Sequence, residues 1–259
     1  MSELTSPEGY ELFRQWNLYQ RVVHFNHMRH RELIVTLQTA LNELGQPLRV
    51  LDLGCGAGEL AWKALETTSV NEYVGIDLSE SAVEQLLARQ PPGTMGPAVP
   101  VVGICGEMLG ELQKLSSARF DLVIASYSLH HFPGPQKVPV LQEIARVISP
   151  GGAFIWIDLL RADGESANQY LERTCARIRQ EWHSLSPEER EATCAHALTC
   201  DYPEQASAMQ QMLAGSTLLT GKLLYRDDFY GGWLFRSARI GQSAGDSDFY
   251  AKTESPFDL

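Results

Sequence analysis

No stretch of the 259-residue sequence approaches the roughly 20 apolar residues that a bilayer-spanning helix needs, so a membrane span is not expected. The opening segment Met1–Tyr10 carries Glu3 and Glu8 around no apolar centre, which does not read as a secretory signal. There is no CxxC pair. Cys55, Cys105, Cys175, Cys194 and Cys200 are odd in number and scattered, which suggests neither a zinc site nor a disulfide framework and points to a reducing cytoplasm. Dense Lys/Arg runs are missing too, and 32 acidic against 21 basic residues give a formal net charge of -11. A polyanion would meet net repulsion, so neither nucleic acid nor an anionic membrane is the expected partner. Internal repeats and long low-complexity stretches are also lacking.

What is present is an ordinary globular balance, 44% hydrophobic and 20% charged, with length for one α/β domain and its elaborations. Tyr10–Leu44 has apolar residues at helical spacing and reads as two helices with a break near Phe25–Asn26, ended by Gly45-Gln46-Pro47. Residues 1–46 are therefore expected to form an N-terminal helical segment. From Leu48 the pattern changes. Leu48–Leu53, Tyr73–Asp77, Val99–Ile104, Phe120–Ser126 and Ala153–Leu159 read as strands buried on both faces. Helical segments Glu59–Leu65, Ser79–Arg89, Met108–Leu115 and Lys137–Ile148 lie between them, which implies a doubly wound α/β core over 47–161. Residues 162–214 are helix-prone, with Trp182, Leu185, Ala197, Leu198, Met209 and Met212 as inward positions, and read as an inserted helical cap. Within 215–240, Thr217–Arg226 and Tyr230–Ser237 are joined by only Asp227–Phe229, which requires an antiparallel hairpin at the sheet's edge. Residues 241–259 are polar and are expected to be a loose tail.

The chemistry begins at Val50-Leu-Asp-Leu-Gly-Cys-Gly-Ala-Gly-Glu59. Glycines at 54, 56 and 58 let the chain turn sharply and let a ligand touch bare backbone. The helix N-terminus that follows favours a carboxylate, and Asp52 can attract an ammonium. A ligand-free strand-to-helix turn is the plain alternative. A dinucleotide fingerprint is opposed by GxGxG spacing with Glu59 at the third glycine position, and no GxxxxGK follows for a phosphate loop. Asp77, at the tip of the second strand, is placed to accept two ribose hydroxyls; its other reading is a helix cap, which Ser79 serves equally well. Glu107 can accept from an adenine amino group while Met108 packs on the ring, or it can be a solvated loop residue.

Taken in order, Asp52-Leu-Gly-Cys-Gly-Ala-Gly58, Gly75-Ile-Asp-Leu-Ser79, Gly106-Glu107, Phe120-Asp-Leu-Val-Ile124 and Ser149-Pro-Gly-Gly152 resemble the motifs of class I S-adenosylmethionine-dependent methyltransferases of the small-molecule type. Glu107 stands where that family more usually has Asp. The resemblance covers about Leu48–Asp158 and implies a Rossmann-like seven-stranded sheet, order 3-2-1-4-5-7-6 with strand 7 antiparallel, and S-adenosyl-L-methionine as cofactor. The expected cofactor-binding set is Asp52, Gly54, Cys55, Gly56, Asp77, Leu78, Glu107, Met108 and Ser126. The resemblance also implies that the N-terminal helices of 1–46 close over the cofactor as a lid, and Met28 and His30 join the set from the polar, histidine-rich stretch Val22–Glu32, whose other reading is a hydrated helix face.

After the fourth strand, Ser126-Tyr-Ser-Leu-His-His-Phe-Pro133 enters the crevice beyond the strands' carboxyl ends. Tyr127, His130 and His131 bring a phenol and two imidazoles there, and at least one histidine of the pair is expected to face the site as a candidate base, the other reading being a helix cap or wall residue. Asp158 is a candidate to orient a histidine or hold an acceptor proton, or is a loop carboxylate in water. The histidine pair alone is too weak a signal for a metal, and none is expected. The expected activity is in-line methyl transfer to an O, N or C atom of a small-molecule acceptor, with homodimer formation left open. The alternatives are a transferase using a carboxylated S-adenosylmethionine derivative, which an Arg facing the methyl position (Arg31 or Arg161) would favour, and a non-catalytic cofactor-binding scaffold.

Overall fold

The computed structural model describes residues 18–45, 47–89, 99–214, 216–218 and 221–238. The expected start of the first helix at Tyr10 and the expected tail over 241–259 lie outside them. Helical residues 18–24 (α1) and α2 (His30–Leu41) precede β1 (Leu48–Leu53), α3 (Glu59–Ala64), β2 (Val70–Asp77), α4 (Glu80–Ala88) and β3 (Val101–Cys105). Then come α5 (Met108–Lys114), β4 (Phe120–Ser126), α6 (Gly134–Val147) and β5 (Ile148–Arg161). The insertion holds α7 (Ala167–Glu181), α8 (Pro187–Cys200), β6 (Glu204–Gln205) and α9 (Ala206–Met212), and β7 (Lys222–Arg226) and β8 (Tyr230–Arg236) follow.

The sheet order is β3-β2-β1-β4-β5-β8-β7. Strands β1 to β5 run parallel, and β8 is antiparallel to both β5 and β7. This is the expected seven-strand order with one addition, the two-residue β6, which pairs with Leu160 and Arg161 of β5. Boundaries differ at several elements: β2 starts at Val70 rather than Tyr73, β3 spans Val101–Cys105 rather than Val99–Ile104, and α6 starts at Gly134 rather than Lys137. Strand β5 runs through Ser149-Pro-Gly-Gly152, with Gly151 at φ 79, and so extends beyond the expected Ala153–Leu159 at both ends. The hairpin's first strand begins at Lys222 rather than Thr217, although Leu218 still bridges to Ser237.

Strand alternation assigns each side chain to one of two apolar layers. Val50, Ile155 and Ile157 face Leu33, Leu37 and Leu41 of α2 and Trp62 of α3. Leu51, Leu53, Phe154 and Trp156 face Leu112 of α5, Val140 and Ile144 of α6, and Met209 of α9. Burial on both faces explains why these strands read as continuous apolar runs. A third cluster joins Val22 of α1 to Cys175, Ile178, Trp182, Leu185 and Cys194 of the insertion. Helices α7 and α8 each start with a capping box, Ser166 with Gln169 and Ser186 with Glu189. Of the inward positions expected in the insertion, Leu198 is instead exposed, because Cys194 and Ala197 define the buried stripe of α8. Among the described residues no helix is long and apolar enough to cross a membrane.

Candidate functional site

The parallel strands end together, and their loops enclose a cavity of about 470 Å³, in the range of small-molecule sites. Its floor is the turn after β1. Gly54 N and Cys55 N both donate to Ile76 O, at 2.8 and 3.1 Å, which pins the turn against β2. Gly54 has φ 68, and a Cβ there would sit 2.4 Å from Ser128 Cβ, so only glycine fits this crossing of two loops. Asp77 reaches back into the turn. Its Oδ2 accepts from Gly56 N at 2.8 Å and its Oδ1 from Ser79 N at 2.9 Å. The capping role on α4 belongs to Ser79, whose hydroxyl accepts from Ala82 N.

Asp52 lies under the turn, 4% exposed, with Oδ2 accepting from Tyr73 Oη at 2.5 Å. Burial, partly offset by that hydrogen bond and reinforced by Asp77, pushes its pKa up to about 7. Among the described residues it makes no ion pair with a cation. At the other end of the cavity, Glu107 caps α5 by accepting from Leu109 N and Gly110 N, with Met108 beside it and exposed Leu78 on the rim. Helices α1 and α2 form the opposite wall through Tyr19, Val23 and His30. His30 is buried, burial pushes its pKa down to about 4, and its Nδ1 has no partner among the described residues.

On the side beyond β4, Ser126, Tyr127 and His131 line the cavity, together with Ser128 and Phe132. Tyr127 has φ 53 and donates its hydroxyl to Met28 O at 2.5 Å. Met28 thus supports the wall without lining the cavity. His130 and Asp158 also lie off the cavity lining. They are buried and paired, Nδ1 to Oδ1 at 2.5 Å, and Asp158 accepts in addition from Trp156 Nε1 and Leu159 N at 3.0 Å. Burial opposes charge on His130, but Asp158 and then Asp201 hold its pKa above the usual value. His131 is the reverse: burial and the neighbouring imidazoles of His130 and His196 hold it below.

A methyltransferase-domain family matches residues 50–152. Over 134 residues the chain is 34% identical to the 27-O-demethylrifamycin SV methyltransferase of Amycolatopsis mediterranei, covering 51% of this chain and 45% of that one. It is 28% identical to a sterol 4-C-methyltransferase of Caenorhabditis elegans, covering 47% of this chain and 34% of that one. The chain thus spans about a third to a half of the length of these two relatives. The structure of magnesium protoporphyrin IX methyltransferase from Synechocystis with bound SAH superposes with a TM-score of 0.57 at 14% identity, covering 91% of this chain and 97% of that one. Residues 50–152 thus match a methyltransferase-domain family, and the fold they build is that of the class I S-adenosylmethionine-dependent methyltransferases. The sheet order and the glycine turn agree with that family, and its cofactor is S-adenosylmethionine.

The residues of this chain fit that cofactor. A buried carboxylate without a cationic partner, Asp52, suits an ammonium. The glycine turn leaves space where a Cβ would intrude, and Asp77 keeps lone pairs beyond those used by Gly56 and Ser79 for ribose hydroxyls. The orphaned His30 Nδ1 marks a further polar contact point in the wall. Sequence reasoning missed Tyr19, Val23 and Ser128 in the lining, and Asp201 and His196 beside the histidine pair. Tyr19 and Val23 had been visible only as apolar members of a helical stripe.

Proposed function

We propose that this chain transfers a methyl group from S-adenosylmethionine to an oxygen, nitrogen or carbon atom of a small-molecule acceptor. The observation that carries the reading is the continuity of one cavity from Asp52 and the glycine turn to Tyr127, His131 and Phe132. The cofactor supplies an electrophilic methyl carbon on a positively charged sulfur. In this reading Asp52 holds the ammonium, Asp77 the ribose, and Glu107 with Met108 the adenine end. Cys55, Leu78 and Ser126 complete the walls, and α1 and α2 act as the lid that excludes water. The helical insertion, packed on α1 and reaching the histidine loop through Asp201, shapes the acceptor side.

Proximity and orientation carry most of the acceleration. Tyr127 already donates its hydroxyl to Met28 O, and His130 turns its nitrogens to Asp158 and Asp201. That leaves His131 as the imidazole facing the acceptor, a neutral ring that shapes the pocket. The carboxylated-cofactor alternative has no support in the lining: among the described residues no arginine lines the cavity, and Arg31 and Arg161 bond to His24 O and to Pro203 O.

The test is a metabolite-pool screen with isotope-labelled methyl donor and mass spectrometry of the products, preceded by calorimetry with S-adenosylmethionine, S-adenosylhomocysteine and NAD. Sub-millimolar binding of the two sulfur nucleotides and one labelled small product are expected. Binding of NAD alone, or labelled macromolecules only, would refute the reading.

A further inference from the structure

The densest group of metal-ligating side chains lies beside the cavity, around one buried oxygen. Asp201 follows the last turn of α8, and its Oδ1 is buried with no hydrogen-bond partner among the described residues. Three imidazole nitrogens surround it: His131 Nδ1 at 3.6 Å, His130 Nε2 at 3.7 Å and His196 Nε2 at 3.8 Å. These separations are too long for hydrogen bonds. A buried carboxylate oxygen left so is costly unless something else satisfies it.

We propose that His130 Nε2, His131 Nδ1 and Asp201 Oδ1, with His196 Nε2 as fourth donor, bind one divalent transition-metal ion of the zinc class. A tetrahedral ion with bonds of about 2.0–2.1 Å sets its donors about 3.3–3.4 Å apart. The distances to Asp201 need only contract by a few tenths of an ångström to reach that spacing. The donor atoms of His130, His131 and Asp201 already lie within 4.8 Å of one another, and His196, 3.8 Å from Asp201, must swing inward to complete the set. His131 and His196 have side chains 44% and 46% exposed, so both can turn inward and the ion has a route in.

The surroundings are those of a ligand shell. Asp158 pairs with Nδ1 of His130, which fixes the ring's orientation and turns Nε2 toward Asp201, where an ion would displace its proton. Trp156 Nε1 and Leu159 N hold Asp158 in turn. Asp158 and Asp201 flank His130, while the nearby buried Lys137 is already matched by Glu204 at 2.8 Å. Imidazole and carboxylate together suit zinc and its first-row neighbours rather than calcium or magnesium. Bound there, the ion ties the loop after β4 to the end of α8, joining the cofactor domain to the insertion next to the cavity wall that His131 forms.

The test uses the full chain, stripped with a chelator, dialysed, and titrated with zinc chloride by calorimetry. One ion per chain with a Kd below about 1 µM is expected, with a higher Tm at saturating zinc. Asp201→Asn and His196→Ala should each weaken binding at least about tenfold, and exposed His183→Ala should bind like the wild type. Circular dichroism checks folding. His196 is half-exposed, so its variant decides the matter if Asp201→Asn does not fold. No binding tighter than about 100 µM, wild-type affinity in the folded variants, or equal loss in His183→Ala would each overturn the proposal.

Discussion

Replacing Asp52 by asparagine removes a charge that the fold holds at a disadvantage. The side chain is 4% exposed, and burial lifts its pKa from an ordinary 3.8 to about 7. Because the folded pKa lies above the unfolded one, the folded chain binds the proton more tightly between those values. Stability therefore falls as pH rises from about 4 to about 7, and the full penalty is present above 7. At 1.36 kcal/mol per pH unit the gap amounts to about 4 kcal/mol, a ceiling because water reaches the cavity. Asparagine keeps the shape, and its amide oxygen still accepts from Tyr73. Free of cofactor, Asp52→Asn should therefore melt above the wild type at pH 8. At about 2–4 °C per kcal/mol the rise has a ceiling of about 8–16 °C, shrinking to nothing near pH 4. Adding S-adenosylmethionine should raise the wild-type Tm and leave the variant's nearly unmoved, since the ammonium has lost its counter-charge. Differential scanning fluorimetry across that pH range measures both. Equal melting of variant and wild type at pH 8, or a gap that does not change with pH, would refute the reasoning.

Tyr73→Phe removes the hydrogen bond that lowers the Asp52 pKa. Such a bond to a charged group is worth about 1.5–3 kcal/mol, so cofactor affinity at pH 7 should fall several-fold and recover toward pH 9, as calorimetry at both pH values can show. Gly54→Ala puts a Cβ 2.4 Å from Ser128 Cβ at φ 68, and should cost about 2–4 kcal/mol of stability by denaturant titration, with cofactor binding lost. His131→Ala should raise the acceptor KM while lowering kcat less than about tenfold; a loss of about 100-fold or more would restore the base role. Ser186→Ala breaks the capping box of α8 and should cost about 1 kcal/mol without moving cofactor affinity.

Most of the fold was legible because its strands announce themselves. Residues such as Leu51, Val123 and Ile155 are fully buried, and short apolar runs between amphipathic helices are what such burial requires. The hairpin was equally plain. Asp227–Phe229 is too short for any crossover, and Asp227 Oδ1 accepts from Phe229 N and Tyr230 N to close the turn. What escaped had no local signal. Glu204–Gln205 becomes a strand only because Leu160 and Arg161 lie alongside it. Leu198 was assigned inward on a helix whose apolar residues fit more than one stripe, and contact with α7 selects the stripe of Cys194.

The same division runs through the site. The cofactor end is built from one strand end, one turn and the tip of the next strand, so Asp52, the glycines and Asp77 stand in a short, readable order. The acceptor end is built from residues that meet only in three dimensions. His130 and His131 are adjacent and identical in type, yet they sit on a 3-10 turn, Leu129–His131, that sends successive side chains in different directions. One imidazole is driven inward onto Asp158, while the other stays half-exposed at the cavity wall. No property of the pair itself decides which goes where. The decision rests with Asp158 at the end of β5 and Asp201 after α8, which enclose the first ring and leave the second at the surface beside Cys200 O and His196. A pair that suggested a base in sequence therefore divides in the structure into a buried, carboxylate-held imidazole and a wall residue. Both face Asp201, and that shared carboxylate, rather than the pair, is what makes the cluster a place for a metal ion.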